Sequence, residues 1–265
     1  LSKQTGITNW TLKLPDAENH FLVGFKDSIV VVSKSGVIQS IKSESGVVNW
    51  KRQIAESFAA KPAITGVKLH VAATGRQVFT ISMETGEIES LRRVPFNVTS
   101  LGGVQTGELI VGDERGNLSS LSNAGDKANW KFKSGGEVSQ IFPVGEHLLV
   151  TSHDNFIYFL GRGNGGLVWK KRLTGRVSQI ANLMDRFALI SSVEDHTAVF
   201  IDLANGKVAG QIAFGDDERF LYSPVSSSNL IFVLTDEAAY AFSLAGCSQN
   251  KESGPDTKPA TAILK

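Results

Sequence analysis

Cysteine is almost absent from this chain: of 265 residues, only Cys247 is one. No intramolecular disulfide can form, and a zinc site built on several thiolates is excluded. An excess of one charge is lacking too. Lys and Arg number 27 against 26 Asp and Glu, a net charge of +1, so the overall balance attracts no polyanion and no nucleic-acid partner is expected. No apolar run reaches the ~18–20 residues of a membrane-spanning helix. No stretch sustains a 3.6-residue period, so almost no helix is expected. The sequence has no GxSxG, Walker or GxGxxG motif. The glycine-rich run at 161–166 joins two predicted strands and opens no helix, so it lacks the N-terminal amides a phosphate needs. His20, His70, His147, His153 and His196 form no pair at i, i+2 or i, i+4, so no metal or catalytic histidine is expected. Asp216, Asp217 and Glu218 read as a solvated acidic loop, and Glu194, Asp195 and His196 as a polar hairpin tip. A start at Leu1 reads as a processed or trimmed product whose signal peptide, if any, is gone.

What the chain does have is a repeat. Its four tryptophans, Trp10, Trp50, Trp130 and Trp169, are separated by 40, 80 and 39 residues. Ser90 and Gly210 occupy the places left open in that register. A glycine precedes each place by four or five residues: Gly6, Gly46, Gly86, Gly125, Gly165 and Gly206, with Gly246 one period later. Between these markers the text is the same each time. In residues 20–53 the runs HFLVGF, SIVVVS, VIQSIKS and VVNWKRQ are parted by turns at Lys26–Asp27, Lys34–Gly36 and Glu44–Gly46. Branched residues in alternation, bounded by Gly, Asp and Ser, predict four antiparallel strands per repeat. Four strands in 40 residues make a β-propeller blade, the architecture shared with WD40 repeats. A blade cannot bury both faces alone, so blades stack. Each tryptophan sits on the fourth, outer strand, where it can lie flat on the glycine turn of the neighbouring blade.

The expected fold is therefore an all-β propeller of four-stranded antiparallel blades, covering residues 1–248. Six blades are expected, or seven or eight if blades were trimmed from a longer parent. Residues 7–14 would supply the fourth strand of a last blade that has only three, a 3+1 closure. Residues 249–265 are polar, carry two prolines, and are expected to be a disordered tail.

The pattern TGxxxW, seen in Thr5, Gly6 and Trp10 and varied as SGVVNW at 45–50, TGEIES at 85–90, NGGLVW at 164–169 and NGKVAG at 205–210, resembles the pyrroloquinoline-quinone-like (PQQ-like) propeller repeat over residues 1–247. That family holds quinone-dependent alcohol dehydrogenases. It also holds non-enzymatic scaffolds, notably the lipoprotein subunit of the bacterial outer-membrane β-barrel assembly machinery. The enzymes resemble longer, eight-bladed proteins with a vicinal disulfide beside the cofactor, a calcium site and an Asp base. A single cysteine excludes the disulfide. The tryptophans are all used by the register, so none is left to stack on a planar cofactor. No loop resembles a calcium site. The resemblance therefore implies a scaffold without catalytic residues, cofactor or metal, extracytoplasmic and by analogy periplasmic, in envelope assembly. A quinone-dependent dehydrogenase, or a degenerate relative of one, is the alternative.

Two surfaces are candidates for binding a protein partner. The fourth strands carry Lys13, Lys51, Arg52, Arg92, Arg93, Lys131, Lys133, Lys170, Lys171 and Arg172. They predict a basic outer rim that either blocks edge-to-edge pairing or attracts an acidic partner or anionic lipid, the latter a peripheral membrane association of a monomeric propeller. The links from each fourth strand to the next blade carry Phe58, Phe96, Glu137, Arg176, Arg219 and Phe220. Aromatics beside arginine have the composition of a protein-contact hot spot, or else pack between blades.

Overall fold

Branched and aromatic residues in short alternating runs leave little choice but strands, and in the computed structural model every four-run repeat folds as one antiparallel sheet. The structure describes residues 5, 7–14, 20–104, 107–121, 128–183, 186–192, 197–215, 218, 225–227, 230–243 and 263–264. Among the described residues there is no helix. The first sheet is β1 (His20–Phe25), β2 (Ser28–Ser33), β3 (Val37–Lys42) and β4 (Val48–Gln53). The second is β5 (Ala63–Thr65), β6 (Lys68–Ala73), β7 (Gln77–Ser82) and β8 (Ile88–Arg93). The third is β9 (Val98–Gly103), β10 (Leu109–Asp113), β11 (Asn117–Leu121) and β12 (Ala128–Lys133). The fourth is β13 (Val138–Val144), β14 (His147–Ser152), β15 (Phe156–Gly161) and β16 (Leu167–Arg172). The fifth is β17 (Val177–Leu183), β18 (Phe187–Ser192), β19 (Thr197–Asp202) and β20 (Val208–Ala213). The sixth has three strands among the described residues, β21 (Val225–Ser227), β22 (Leu230–Leu234) and β23 (Ala239–Ser243). A two-residue β24 (Ile263–Leu264) pairs with β20 through Gly210 and Gln211. Strands follow in sequence order within each sheet, β24 aside. The architecture is all-β and made of propeller blades.

One irregularity repeats. The pairing of third and fourth strands slips between Ser40 and Ile41, Thr80 and Ile81, Ser119 and Leu121, Phe159 and Leu160, and Phe200 and Ile201. Such slips are β-bulges, which bend a strand and increase its twist. In the four blades whose adjoining turn is among the described residues, that turn has glycine at positive φ: Gly46 (73°), Gly86 (72°), Gly165 (66°) and Gly206 (70°). Each of these amides donates to the carbonyl four residues back.

The chain divides into two compact units, Leu1–Ile141 and Phe142–Lys265, parting within β13. In the first, Val30, Val32 and Ile38 pack with Leu69, Val71 and Ile81 of the next sheet. Ala72 and Val78 pack in turn with Val98, Leu101 and Val111. In the second unit, Leu149, Ile157 and Phe159 meet Ile180, Ile190 and Ile201. Leu189, Phe200 and Ile212 meet Ile231, Val233 and Phe242. Each such Val, Leu, Ile or Phe side chain contributes roughly 1.5–3 kcal/mol on burial. The middle strands lie between two neighbours and are buried on both faces, as in β6 and β10. The fourth strands lie at the edge and are mostly exposed, as in β4 and β16.

Residues 7–14, expected as the closing fourth strand of the last blade, carry no strand. Trp10 is held by its side chain instead: its indole Nε1 donates to the Ser43 carbonyl at 2.8 Å. The boundary expected at 248 and the tail beyond it lie outside the described residues, Ile263 and Leu264 excepted.

Candidate protein-binding surface

The surface is organised by how fourth strands dock. Trp10 lies on Gly46, Trp50 on Gly86 and Trp169 on Gly206, so closely that a Cβ on these glycines would come within 2.7, 2.5 and 2.8 Å of the indole. Trp50 and Trp169 also donate from Nε1 to the carbonyls of Met83 (3.1 Å) and Leu203 (2.8 Å). A planar ring on a side-chain-free turn, pinned by one hydrogen bond, joins one blade to the next. Trp130 is buried as well. Gly6 and Gly125 lie outside the described residues, and Gly165 sits in its turn at positive φ.

The register breaks at Ser90 and at Gly210, and the two breaks differ. Opposite Gly210 stands Phe200, which is fully buried and packs with Ile212, Ile231 and Phe242. Opposite Ser90 stands Thr80, too small to fill a tryptophan's place. Here a pocket of about 240 Å³ opens, with Ser90, Thr80, Lys68 and His70 on one side and Leu109 and Leu121 of the next sheet on the other. His70 is buried, its Nε2 2.7 Å from Thr65 Oγ1 and its Nδ1 3.1 Å from Thr80 Oγ1. Burial, reinforced by Lys68, lowers its pKa to about 4, so the ring is neutral at physiological pH.

Around the corner lies a larger cleft of about 400 Å³, lined by Arg92, Arg93, Phe96 and Lys131 among others. The two cavities share Arg92 and Leu121. Three cations and a half-buried phenylalanine therefore face one cleft between the second and third sheets. A cleft with this lining suits an acidic segment carrying an apolar side chain. The same rim position in the second unit, with Lys171 and Arg172, forms a smaller cavity of about 170 Å³.

The remaining expected residues scatter. Arg52 is exposed and bonds the Gly86 carbonyl at 2.6 Å, which makes it part of blade docking. Glu137 is half-buried and Arg176 exposed, each on a different link. Phe58 corrects the expectation of a surface aromatic: at 3 % exposure it packs among Val71, Ala73 and Phe79 in the core and offers a partner nothing. Its backbone bridges to Ala73, which turns the side chain inward. Arg219 and Phe220 lie outside the described residues. Glu218 corrects the solvated acidic loop. It is buried and accepts from Thr235 Oγ1 (2.5 Å), Tyr240 Oη (2.7 Å) and the Gly215 amide (3.2 Å). Asp216, Asp217 and the tip at 194–196 lie outside the described residues. Lys68, His70, Thr65 and Thr80 were not anticipated as site residues. Their signal was the missing tryptophan at Ser90, read together with polar residues in the rows facing it.

Among the described residues no group of three His, Cys, Asp or Glu could hold a metal ion. The family model described as outer membrane protein assembly factor BamB matches residues 1–89 and 91–257. Among solved structures, BamB from Moraxella catarrhalis is 13% identical, with a TM-score of 0.64 over 84% of this chain and 72% of that one. The computationally designed Ika8 protein is 11% identical, with a TM-score of 0.71 over 86% and 71%. At such identities these likenesses speak for the fold alone. No curated protein matches the chain by sequence. A family match over nearly the whole chain, on sheets joined by the docking register just described, shows that this chain belongs to the family of outer membrane protein assembly factor BamB.

Proposed function

We propose that this chain is a non-enzymatic, protein-binding scaffold of the bacterial envelope, acting as a monomer in the periplasm in the assembly of outer-membrane proteins. The observation that carries this reading is the cleft between the second and third sheets, where Arg92, Arg93, Lys131 and Phe96 converge. Clustered cations beside an aromatic side chain recognise and steer an acidic partner. The family match supports the setting.

The test is co-purification from detergent-solubilised envelopes of a bacterium carrying the tagged chain. Outer-membrane assembly proteins should accompany the wild type and be lost at least tenfold in the triple variant Arg92→Glu, Arg93→Glu, Lys131→Glu. Equal recovery with wild type and variant would sink the rim as the binding surface. Uptake of pyrroloquinoline quinone with Ca²⁺, followed by alcohol-dependent dye reduction, would sink the non-enzymatic reading.

A further inference from the structure

The pocket at Ser90 opens at the place where the 40-residue register calls for a tryptophan. Trp50 pairs across the ladder with Ser40, and Ser40 with Val30. Ser90 pairs with Thr80, and Thr80 with His70. The two rows are equivalent, one blade apart. Trp50 packs against a cluster that includes Leu69 and Ile81 of the following sheet, which face each other across the ladder. The matching pair one blade on, Leu109 and Leu121, lines the pocket at Ser90. The apolar wall against which a tryptophan packs is thus kept.

The opposite wall has changed. In the first blade it is apolar: Val30, with Phe25 packed nearby. In the second blade the equivalent positions are His70 and Thr65, hydrogen-bonded to each other and to Thr80. Lys68 and Arg92 line the same space, with Glu89 2.8 Å from the Lys68 amine. A tryptophan lost by drift from a packed core leaves an apolar void, which costs stability until neighbours fill it. Opposite Gly210 the ladder keeps a phenylalanine, Phe200, buried among Ile212, Ile231 and Phe242, as it keeps Phe159 opposite Trp169. The gap at Ser90 is neither filled nor wholly apolar. It has one apolar wall, one wall of satisfied hydrogen-bonding groups, and cations that continue through Arg92 into the rim cleft with Arg93 and Lys131.

We propose that this pocket receives an indole side chain from a partner protein, presented on an acidic segment that lies along the rim cleft, so that the partner completes the docking register at Ser90. The inference deepens the scaffold reading and rests on it for the identity of the partner as a protein. The indole stacks on Leu109 and Leu121, and the flanking carboxylates meet Arg92, Arg93 and Lys131. A foreign tryptophan bound between blades gains apolar burial in a preformed site, the arrangement expected of an interface anchor.

The test uses the full chain and a fluorescein-labelled peptide, acetyl-Asp-Glu-Trp-Glu-Asp-amide, followed by anisotropy. Wild type should bind it, and replacing the peptide's tryptophan by alanine should weaken binding at least tenfold. Ser90→Trp installs the chain's own register residue. It should keep or raise the melting temperature and weaken the peptide at least tenfold. Leu121→Gln spoils the apolar wall and should weaken it similarly, which keeps the test intact if Ser90→Trp misfolds. Equal binding of the tryptophan and alanine peptides would overturn the proposal and leave the rim as a charged surface only. Unaltered binding to a folded Ser90→Trp would overturn it as well. Envelope co-purification is scored separately: partners retained by Ser90→Trp with the peptide lost would remove the pocket from the scaffold's contact, while loss of all partners from wild type itself would remove the scaffold reading.

Discussion

Trp50 lies across Gly86, and its indole leaves no room for a β-carbon there: one built on Gly86 would stand 2.5 Å from Cε3 of the ring. The contact joins the first sheet to the second. It requires both the positive φ of 72° and the missing side chain. The same pairing recurs 40 residues earlier in Trp10 and Gly46, and again in Trp169 and Gly206.

Gly86→Ala should therefore destabilise the chain by about 3 kcal/mol, roughly 1–2 from the left-handed backbone and the rest from the clash. Gly66 is the control. Its φ is also positive, at 59°, but nothing lies within 4 Å of a Cβ built on it. Gly66→Ala should cost only the backbone part, about 1 kcal/mol. Urea midpoints compare the two, and equal losses would contradict the docking role of Trp50.

The inner strand β9 ends in Gly102 and Gly103. A β-carbon on Gly103 would collide with the backbone carbonyl of Ile64, which cannot swing aside. Gly103→Ala should cost at least about 3 kcal/mol or abolish folding. Circular dichroism of the purified variant decides, and a wild-type melting curve would refute the close approach of β5 and β9.

His70 is buried and neutral, facing Lys68 and Arg92 as cations and Glu89 as an anion. Its folded pKa of about 4 lies below its ordinary value of 6.5. As pH falls from about 6.5 to 4 the unfolded chain takes up a proton that the folded chain refuses, so stability drops, by at most about 3 kcal/mol. Above pH 6.5 the group contributes no slope. His70→Gln should flatten stability between pH 6.5 and 4. A variant with the wild-type slope would show that another group governs that range.

Glu218 acts at lower pH. Burial opposes its ionisation, but hydrogen bonds from Thr235, Tyr240 and the Gly215 amide outweigh it and hold the carboxyl below its usual pKa. The same contact, with burial, holds the Tyr240 hydroxyl protonated above its usual range. The stability from Glu218 is present above the unfolded carboxyl pKa of ~4.3 and is lost as pH falls through the folded value. Glu218→Gln should cost about 1–3 kcal/mol at pH 7 and shallow the acid limb below pH 4. An unchanged acid limb would mean the carboxylate is not the titrating group.

Much of the fold was legible because blade strands announce themselves by local chemistry. HFLVGF and SIVVVS were bounded to the residue from their turns, and β1 and β2 occupy those residues. Nine of the ten expected rim cations stand on fourth strands at sheet edges, and Lys13 does not, because residues 7–14 carry no strand. For Phe58 the sequence leaves open a contact surface or packing between blades, and the structure decides for packing, because its backbone bridge to Ala73 turns the ring inward. The burial of Glu218 is not legible in its acidic neighbours, because two of its hydrogen-bonding partners lie 17 and 22 residues away.

The sequence by itself determined the repeat. A 40-residue period of strands, a glycine that accepts positive φ, and a tryptophan to lie on it are local properties, present before any blade meets another. Only the tertiary structure decided what each break in that period means. Opposite Gly210 a buried phenylalanine stands on the adjacent strand, while at Ser90 a pocket opens between polar groups and two leucines of the next sheet. The difference lies in which side chains the ladder and the next sheet bring into one volume, and that is set by packing across strands, which the order of residues along the chain does not display.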